Sequence, residues 1–262
     1  MRTQLLRVIA WEFRDRSRML LIVAMYLALL FALQLNAWGL WLSTMTFSIV
    51  DDVLFCMTRT LVDPVVMVYR LVSPVVAVLT CVCFSHEYET RVLRSRMLKP
   101  VEKTTIFLAK ILYLVLASCL VFAAASVVYL ALMDPRSLMS ILFSSVLPIA
   151  ILVVGAHYAA IFLLVISVAT LLSVVLRNTA LSAGLSLLVV YILDYLGSIA
   201  VSLRMLPPWS IYQSFYENLF NIHFLVSSPP VVFNLEPLKA VSFSIMLLAF
   251  SWLVFTRVTE YG

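Results

Sequence analysis

The stretch SHEYETRVLRSRMLKPVEKTTIFLAK, residues 85–110, decides the fold because it sets a dense run of charge between two long apolar segments. It contains six of the chain's 18 Lys and Arg residues together with three glutamates. The apolar segments on either side reach about 20 residues, the length that a helix needs to cross a bilayer. The stretch therefore predicts a charged connection between two membrane-spanning helices.

The whole chain has the composition of a membrane protein. Its 262 residues are 64% hydrophobic and only 12% charged, and its mean hydropathy is +1.09. A soluble globular domain carries about twice that charged fraction. The basic residues behind the net charge of +5 stand at the ends of apolar stretches, which is typical of lipid contacts rather than nucleic-acid binding. We expect an all-α polytopic membrane protein, with one transmembrane domain over residues 1–262.

Six apolar segments are predicted to cross the membrane. They cover residues 19–41, 64–85, 106–132, 148–175, 179–203 and 239–257. The 40 uncharged residues between Arg136 and Arg177 would form a helix of about 60 Å, twice the thickness of a hydrocarbon core. Pro148 and Gly155 therefore indicate a lead-in or kinked segment before the main part of span 4.

Two further helices are predicted to lie along membrane surfaces. Residues 1–18 are too charged to cross, and apolar side chains recur there at near-helical spacing among five arginines. This pattern is typical of an interfacial helix whose arginines, Arg18 among them, reach the lipid headgroups. Between Pro207 and Pro230, aromatic residues recur every three or four positions, which predicts an outer surface helix that forms either an aromatic belt or part of a substrate path. These residues are Trp209, Tyr212, Tyr216, Phe220 and Phe224.

Lys and Arg are distributed unequally between the two sides of the predicted membrane domain. With the N-terminus inside, the inner segments hold 13 of these residues and the outer segments hold 4. Cytoplasmic segments of membrane proteins carry such an excess. We therefore expect both termini to be cytoplasmic, with residues 42–63 and 204–238 on the outer side of the cell membrane.

Three ionisable residues lie far from the ends of the predicted spans: Arg70, His157 and Asp194. Charges in hydrocarbon are costly unless they are paired. Arg70 and Asp194 have similar estimated depths below the outer surface, so we predict that they pair between spans 2 and 5. The alternatives are that Arg70 extends to the surface while Asp194 faces water, or that the three residues line a polar path for a substrate or proton.

The sequence lacks the motifs of the common hydrolases and metalloenzymes. It contains no Walker A loop, no H-E-x-x-H, no G-x-S-x-G and no Cys/His ligand cluster. Cys81 and Cys83 lie in an apolar run, where such a pair is typical of packing rather than metal binding. We expect no catalytic residue, no metal and no cofactor in this chain.

Two features at the ends of the chain's spans resemble a known family, the membrane subunits of ABC-2-type transporters. These are six-span permeases that act as dimers on cytoplasmic ATPases. The first feature is the segment WEFRDRSR, residues 11–18, which leads directly into span 1. The second is the pair Arg177-Asn178 after the Ser-rich end of span 4, followed by the small residues of 180–184.

The charged segment, residues 85–110, resembles the same family at several positions. In the family, a short helix rich in Glu and Arg follows span 2, then a proline, then a lysine as span 3 begins. Glu87, Glu89, Pro100 and Lys110 stand in those places here. A short charged helix tied at both ends to spans 2 and 3 could pass the motion of an ATPase to the membrane, because it cannot move without tilting them.

The resemblance implies a permease subunit of an ATP-driven exporter. Its partners would be membrane lipid, a separate ATP-binding subunit that holds ATP and Mg²⁺, and a second permease copy in a homodimer. The residues expected to couple to the ATPase are Glu87, Glu89, Arg91, Arg94, Arg96 and Pro100. Two other hypotheses remain: a membrane scaffold or assembly factor that does not transport, and an intramembrane enzyme that uses His157 and Asp194.

Overall fold

Eight helices make up the part of the chain that the computed structural model describes, residues 2–44, 64–90, 102–133, 147–199, 204, 206–225 and 234–258. They are α1 (Arg2–Glu12), α2 (Arg16–Thr44), α3 (Pro64–Glu89), α4 (Lys103–Met133), α5 (Leu147–Leu176), α6 (Thr179–Ile199), α7 (Trp209–Leu225) and α8 (Glu236–Val258). These residues contain no strand, so the predicted all-α fold is confirmed.

Six of the helices are long and apolar enough to cross a membrane, namely α2, α3, α4, α5, α6 and α8. The chain is therefore a multi-pass helical membrane protein, as predicted. Span 4 is the single helix Leu147–Leu176, in which Gly155 is an interior residue. Residues 134–146, where a lead-in would lie, are outside the described residues. Residues 45–63, which lie within the predicted outer segment 42–63, are outside the described residues.

α3 and α5 form the centre of the bundle. In each of these two helices, 67% of the apolar stretch is buried inside the bundle, against 28% for α6 and 22% for α8. α5 packs against α8, α3 and α6, and α3 also packs against α2. The outward faces of α6 and α8 carry large exposed side chains such as Leu188, Ile245 and Phe250, which is the surface expected to contact lipid tails.

The two faces of the bundle can be assigned from contacts near helix ends. Glu87, near the end of α3, contacts Arg18 at the start of α2, and Glu89 contacts Thr179 at the start of α6. Phe255, near the end of α8, packs against Phe84 of α3. We call this the N-terminal face and the opposite side the far face.

The two predicted surface helices both exist, but each is packed against the bundle. α1 ends at Glu12 and packs on α4, with Val8 and Glu12 buried while Leu6 stays exposed. α7 packs on α5 and α8, with Tyr212 buried and Trp209 half-buried. The side chains of the other predicted aromatic positions lie outside the described part: Tyr216, Phe220 and Phe224.

Candidate functional site

Four charged side chains from four helices meet inside the N-terminal face. They are Glu12 of α1, Arg18 of α2, Glu87 of α3 and Lys110 of α4, and none is more than 3% exposed. Arg18 forms ion pairs with both Glu12 and Glu87. Lys110 Nζ lies 2.8 Å from Glu87 Oε1 and 3.5 Å from Glu12 Oε1. We call this group the four-charge cluster.

The turn between α1 and α2 positions two members of the cluster. The Asp15 carboxylate accepts hydrogen bonds from the Ser17 backbone N–H (3.1 Å) and hydroxyl (2.6 Å), so Asp15 is the N-cap of α2. Arg18 follows in the first turn of α2, and its Nε lies 3.5 Å from the Asp15 carboxylate. Phe13 packs edge-to-face on Tyr113 of α4 at 4.7 Å, which holds the turn against the bundle. Arg18 therefore points inward, and the prediction that it reaches the lipid headgroups is wrong.

Lys110 is held by more than its ion pairs. Its ammonium group donates a hydrogen bond to the Cys83 carbonyl of α3 at 2.6 Å and lies 5.5 Å from the centre of the Phe84 ring. The cluster contains two acidic and two basic side chains, so its formal charges cancel. Removing one member of a buried ion pair leaves an uncompensated charge, which typically costs about 3–5 kcal/mol. The cluster therefore joins α1, α2, α3 and α4 at one point.

Glu89 has a structural role at the same face. Its carboxylate accepts hydrogen bonds from the backbone N–H of Thr179 at 2.8 Å and from the Thr179 hydroxyl at 2.7 Å. Asn178 adds a local cap, because its side-chain oxygen accepts the N–H of Leu181 at 2.9 Å. Acidic and amide oxygens satisfy the free N–H groups at the start of a helix. Glu89 thus links the end of α3 to the start of α6.

The predicted coupling residues are therefore only partly described. Glu87 lies in the four-charge cluster and Glu89 on the start of α6, while the four others lie outside the described residues: Arg91, Arg94, Arg96 and Pro100. The prediction missed Glu12 and Arg18 as buried groups. The sequence did contain one indication of this cluster. Lys110 lies four residues inside predicted span 3, and an intramembrane lysine requires a buried partner.

On the far side of the bundle, Arg70 and Asp194 form the predicted pair. Arg70 Nε lies 2.8 Å from Asp194 Oδ2, so the predicted contact between spans 2 and 5 is confirmed. The Arg70 side chain is 44% exposed and the Asp194 side chain 7% exposed. Two tyrosine hydroxyls tie the same helices together: Tyr191 donates to the Arg70 carbonyl at 2.8 Å, and Tyr69 donates to the Val190 carbonyl at 3.0 Å.

Trp209 attaches the start of α7 to this region. Its indole N–H donates to the Asp194 carbonyl at 2.7 Å, and the Arg204 guanidinium lies 5.4 Å from its ring centre. Gly197 makes room for the ring, because a Cβ atom there would lie only 1.9 Å from Trp209 Cδ1. The absence of a side chain at Gly197 therefore permits α7 to start beside α6.

His157 belongs to a different set of contacts. Its Nδ1 lies 2.7 Å from the Val153 carbonyl, which can only accept, so Nδ1 carries the proton. Its Nε2 lies 3.4 Å from both Ser214 Oγ and Asn218 Nδ2 of α7. Asn218 also brackets the backbone of Asn234, accepting its N–H at 2.5 Å and donating to its carbonyl at 2.8 Å. His157 therefore connects α5 to α7, and Asn218 connects α7 to the residues that precede α8.

The three intramembrane residues of the prediction thus divide into two groups with different partners. Asp194 is bonded to Arg70 of α3, whereas His157 is bonded to α7. The described residues also contain no group of three or more His, Cys, Asp and Glu side chains that could hold a metal ion. No protein-family model and no curated protein sequence matches this chain.

Proposed function

We propose that this chain is the membrane-spanning subunit of an ATP-driven exporter, and that a separate ATP-binding subunit docks on the segment between α3 and α4. The observation that carries the proposal is the four-charge cluster. Glu87 lies four residues before the first undescribed position of that segment, and Lys110 lies in the second turn of α4 beyond it. The two ends of the charged segment are thus tied to each other through one ion pair.

The cluster supplies a physical route for coupling. A force on the segment acts on α3 and α4, which carry Glu87 and Lys110. Arg18 and Glu12 transfer the same force to α2 and α1, because their buried charges cannot separate from their partners without a large energetic cost. Glu89 adds α6 through its contact with Thr179. Motion of a docked ATPase would then tilt most of the helices at the N-terminal face together.

The remaining parts of the proposal follow from the resemblance and from the charge distribution. ATP and Mg²⁺ bind the partner subunit, two permease copies assemble with two ATPase copies, and the N-terminal face is cytoplasmic at the cell membrane. The arginines at 91, 94 and 96 orient docking and disfavour wrong partners.

The test is a charge reversal in the docking segment. Arg91→Glu, Arg94→Glu and Arg96→Glu together should abolish co-purification of ATPase activity with the tagged chain from native membranes. The matched control replaces the same three residues by lysine and should retain ATPase activity, because the charge is preserved. Both variants must keep the thermal midpoint of the unchanged chain. Equal ATPase recovery from the two variants would contradict the proposal and favour a scaffold without an ATPase partner.

A further inference from the structure

A long apolar groove opens between α6 and α8, with α5 as its floor. Its volume is about 450 Å³, within the range of roughly 300–1,000 Å³ that is usual for ligand sites. Ten of its twelve lining residues have hydrocarbon side chains, among them Leu164, Val168, Leu193 and Leu247. Leu206 and Pro207, just before α7, also line it.

The two polar residues of the groove are Ser210 and Lys239. Lys239 lies in the first turn of α8 at the far face, and its side chain is 75% exposed. It forms an ion pair with Glu236 one turn earlier, whose side chain is 28% exposed. The groove therefore has one charged end, which presents a cation beside an anion, and is apolar over the rest of its length.

We propose that this groove binds one acyl chain of a zwitterionic phospholipid in the leaflet at the far face, with the lipid phosphate on Lys239 and its ammonium group on Glu236. From Lys239 to Leu247 the groove runs along eight residues of α8, or about 12 Å. Half of a hydrocarbon core measures about 15 Å. An acyl chain that starts at the headgroup level would therefore fill the groove without crossing the midplane.

The paired charges of Lys239 and Glu236 favour a headgroup that carries both signs. An anionic lipid would contact Lys239 but would bring its phosphate close to the Glu236 carboxylate without supplying an ammonium group to offset the repulsion.

The test measures lipid binding to the full-length chain in detergent by native mass spectrometry. After delipidation, the chain is titrated with phosphatidylethanolamine, phosphatidylcholine or phosphatidylglycerol of identical acyl chains. We expect phosphatidylethanolamine to bind most tightly, because its ammonium group can donate hydrogen bonds to Glu236 and a quaternary ammonium cannot. Lys239→Ala should weaken phosphatidylethanolamine binding about fivefold. Glu236→Gln should remove the preference over phosphatidylglycerol.

A pair of variants on α8 locates the bound chain. Leu247→Phe adds a ring inside the groove and should abolish retention of the lipid. Leu253→Phe makes the same change at an exposed position outside the groove lining and should leave retention unchanged. Equal retention by both variants would show that the lipid binds elsewhere and would overturn the proposal. Equal affinity for the three headgroups would also overturn it. So would a dimer whose measured mass shows that the lipid has been released.

The variants at Lys239 keep the test decisive if a phenylalanine in the groove prevents folding. Lys239 is largely exposed, so its replacement by alanine should not change the thermal midpoint of the lipid-free chain. The lipid site does not depend on the proposed transport function, because the readout contains neither ATP nor an ATPase. Loss of the lipid site would leave the proposed coupling intact, and the reverse also holds.

Discussion

Buried charge is organised differently at the two faces of the bundle. At the N-terminal face, Glu12, Arg18, Glu87 and Lys110 come from four helices, are almost fully buried, and balance one another. On the far side, Arg70 contacts Asp194 through its Nε atom while its side chain stays 44% exposed. One site is a closed network and the other is an open pair.

The difference indicates which face moves as a unit. A closed network of buried charges resists any displacement of one helix relative to the others, because every separation exposes or isolates a charge. An open pair tolerates a change of partner, since water or a polar ligand can replace either group. We therefore infer that helix ends move together at the N-terminal face, whereas on the far side the Arg70–Asp194 pair can exchange partners while Tyr69 and Tyr191 still join α3 to α6.

The largest effect is expected when the four-charge cluster is left unbalanced. Lys110→Met removes one positive charge and leaves two buried carboxylates facing Arg18, so the free energy of unfolding should fall by about 3–5 kcal/mol. Adding Glu12→Gln restores neutrality and should recover much of that loss. The measurement is thermal or denaturant unfolding of the chain in detergent, followed by helical circular dichroism.

The matched control for this variant is Lys103→Met. Lys103 starts the same helix but is half-buried and outside the cluster, so its replacement should change stability by less than about 0.5 kcal/mol. Simple addition of the Lys110→Met and Glu12→Gln losses would show that the two residues do not interact. The N-terminal face would then not be a closed network.

A smaller effect is expected where α7 is attached to α6. Gly197→Ala would place a methyl group against the Trp209 ring, and overpacking of this kind typically costs about 1–3 kcal/mol. Gly184→Ala on the same helix is the control, because nothing lies within 4 Å of the place that its Cβ atom would occupy. Alanine there should be neutral or slightly stabilising in a helix. Equal thermal midpoints for the two variants would show that α7 adapts to the added methyl group without cost, and that packing on the far side is less tight than the Trp209 contact indicates.

The helices and the far pair could be predicted from sequence because both depend on local composition. An apolar run of about 20 residues is itself the signal for a span, and the charges of Arg70 and Asp194 stand out within such runs. The α5 bounds, Leu147–Leu176, differ by one residue at each end from the predicted 148–175. The same reasoning predicted α7 as a helix from its aromatic spacing.

The four-charge cluster could not be predicted because its members are polar residues near helix ends. Arg18 in an arginine-rich segment has the local pattern of a headgroup contact, and only the packing of α1 on α4 turns it inward. Glu89 likewise has the pattern of a docking residue, yet its carboxylate caps a helix that starts 90 residues later. Such contacts depend on which helices are neighbours, and no local pattern in the sequence specifies that.

The smallest effect is expected at the Arg70–Asp194 pair. Removing one partner of a fully buried pair costs about 3–5 kcal/mol, but the partial exposure of Arg70 allows solvent or headgroups to replace Asp194. Arg70→Leu or Asp194→Leu alone should therefore lower the free energy of unfolding by about 1–2 kcal/mol. The double variant should regain most of that loss, because no charge is then left unpaired.

A double-mutant cycle in detergent measures the interaction between Arg70 and Asp194, with Arg257→Leu at an exposed position of α8 as the control. Purely additive losses would mean that the pair contributes no coupling. An interaction as large as that of Lys110 with Glu12 would instead remove the contrast between the two faces, and the far side would then also be a closed site.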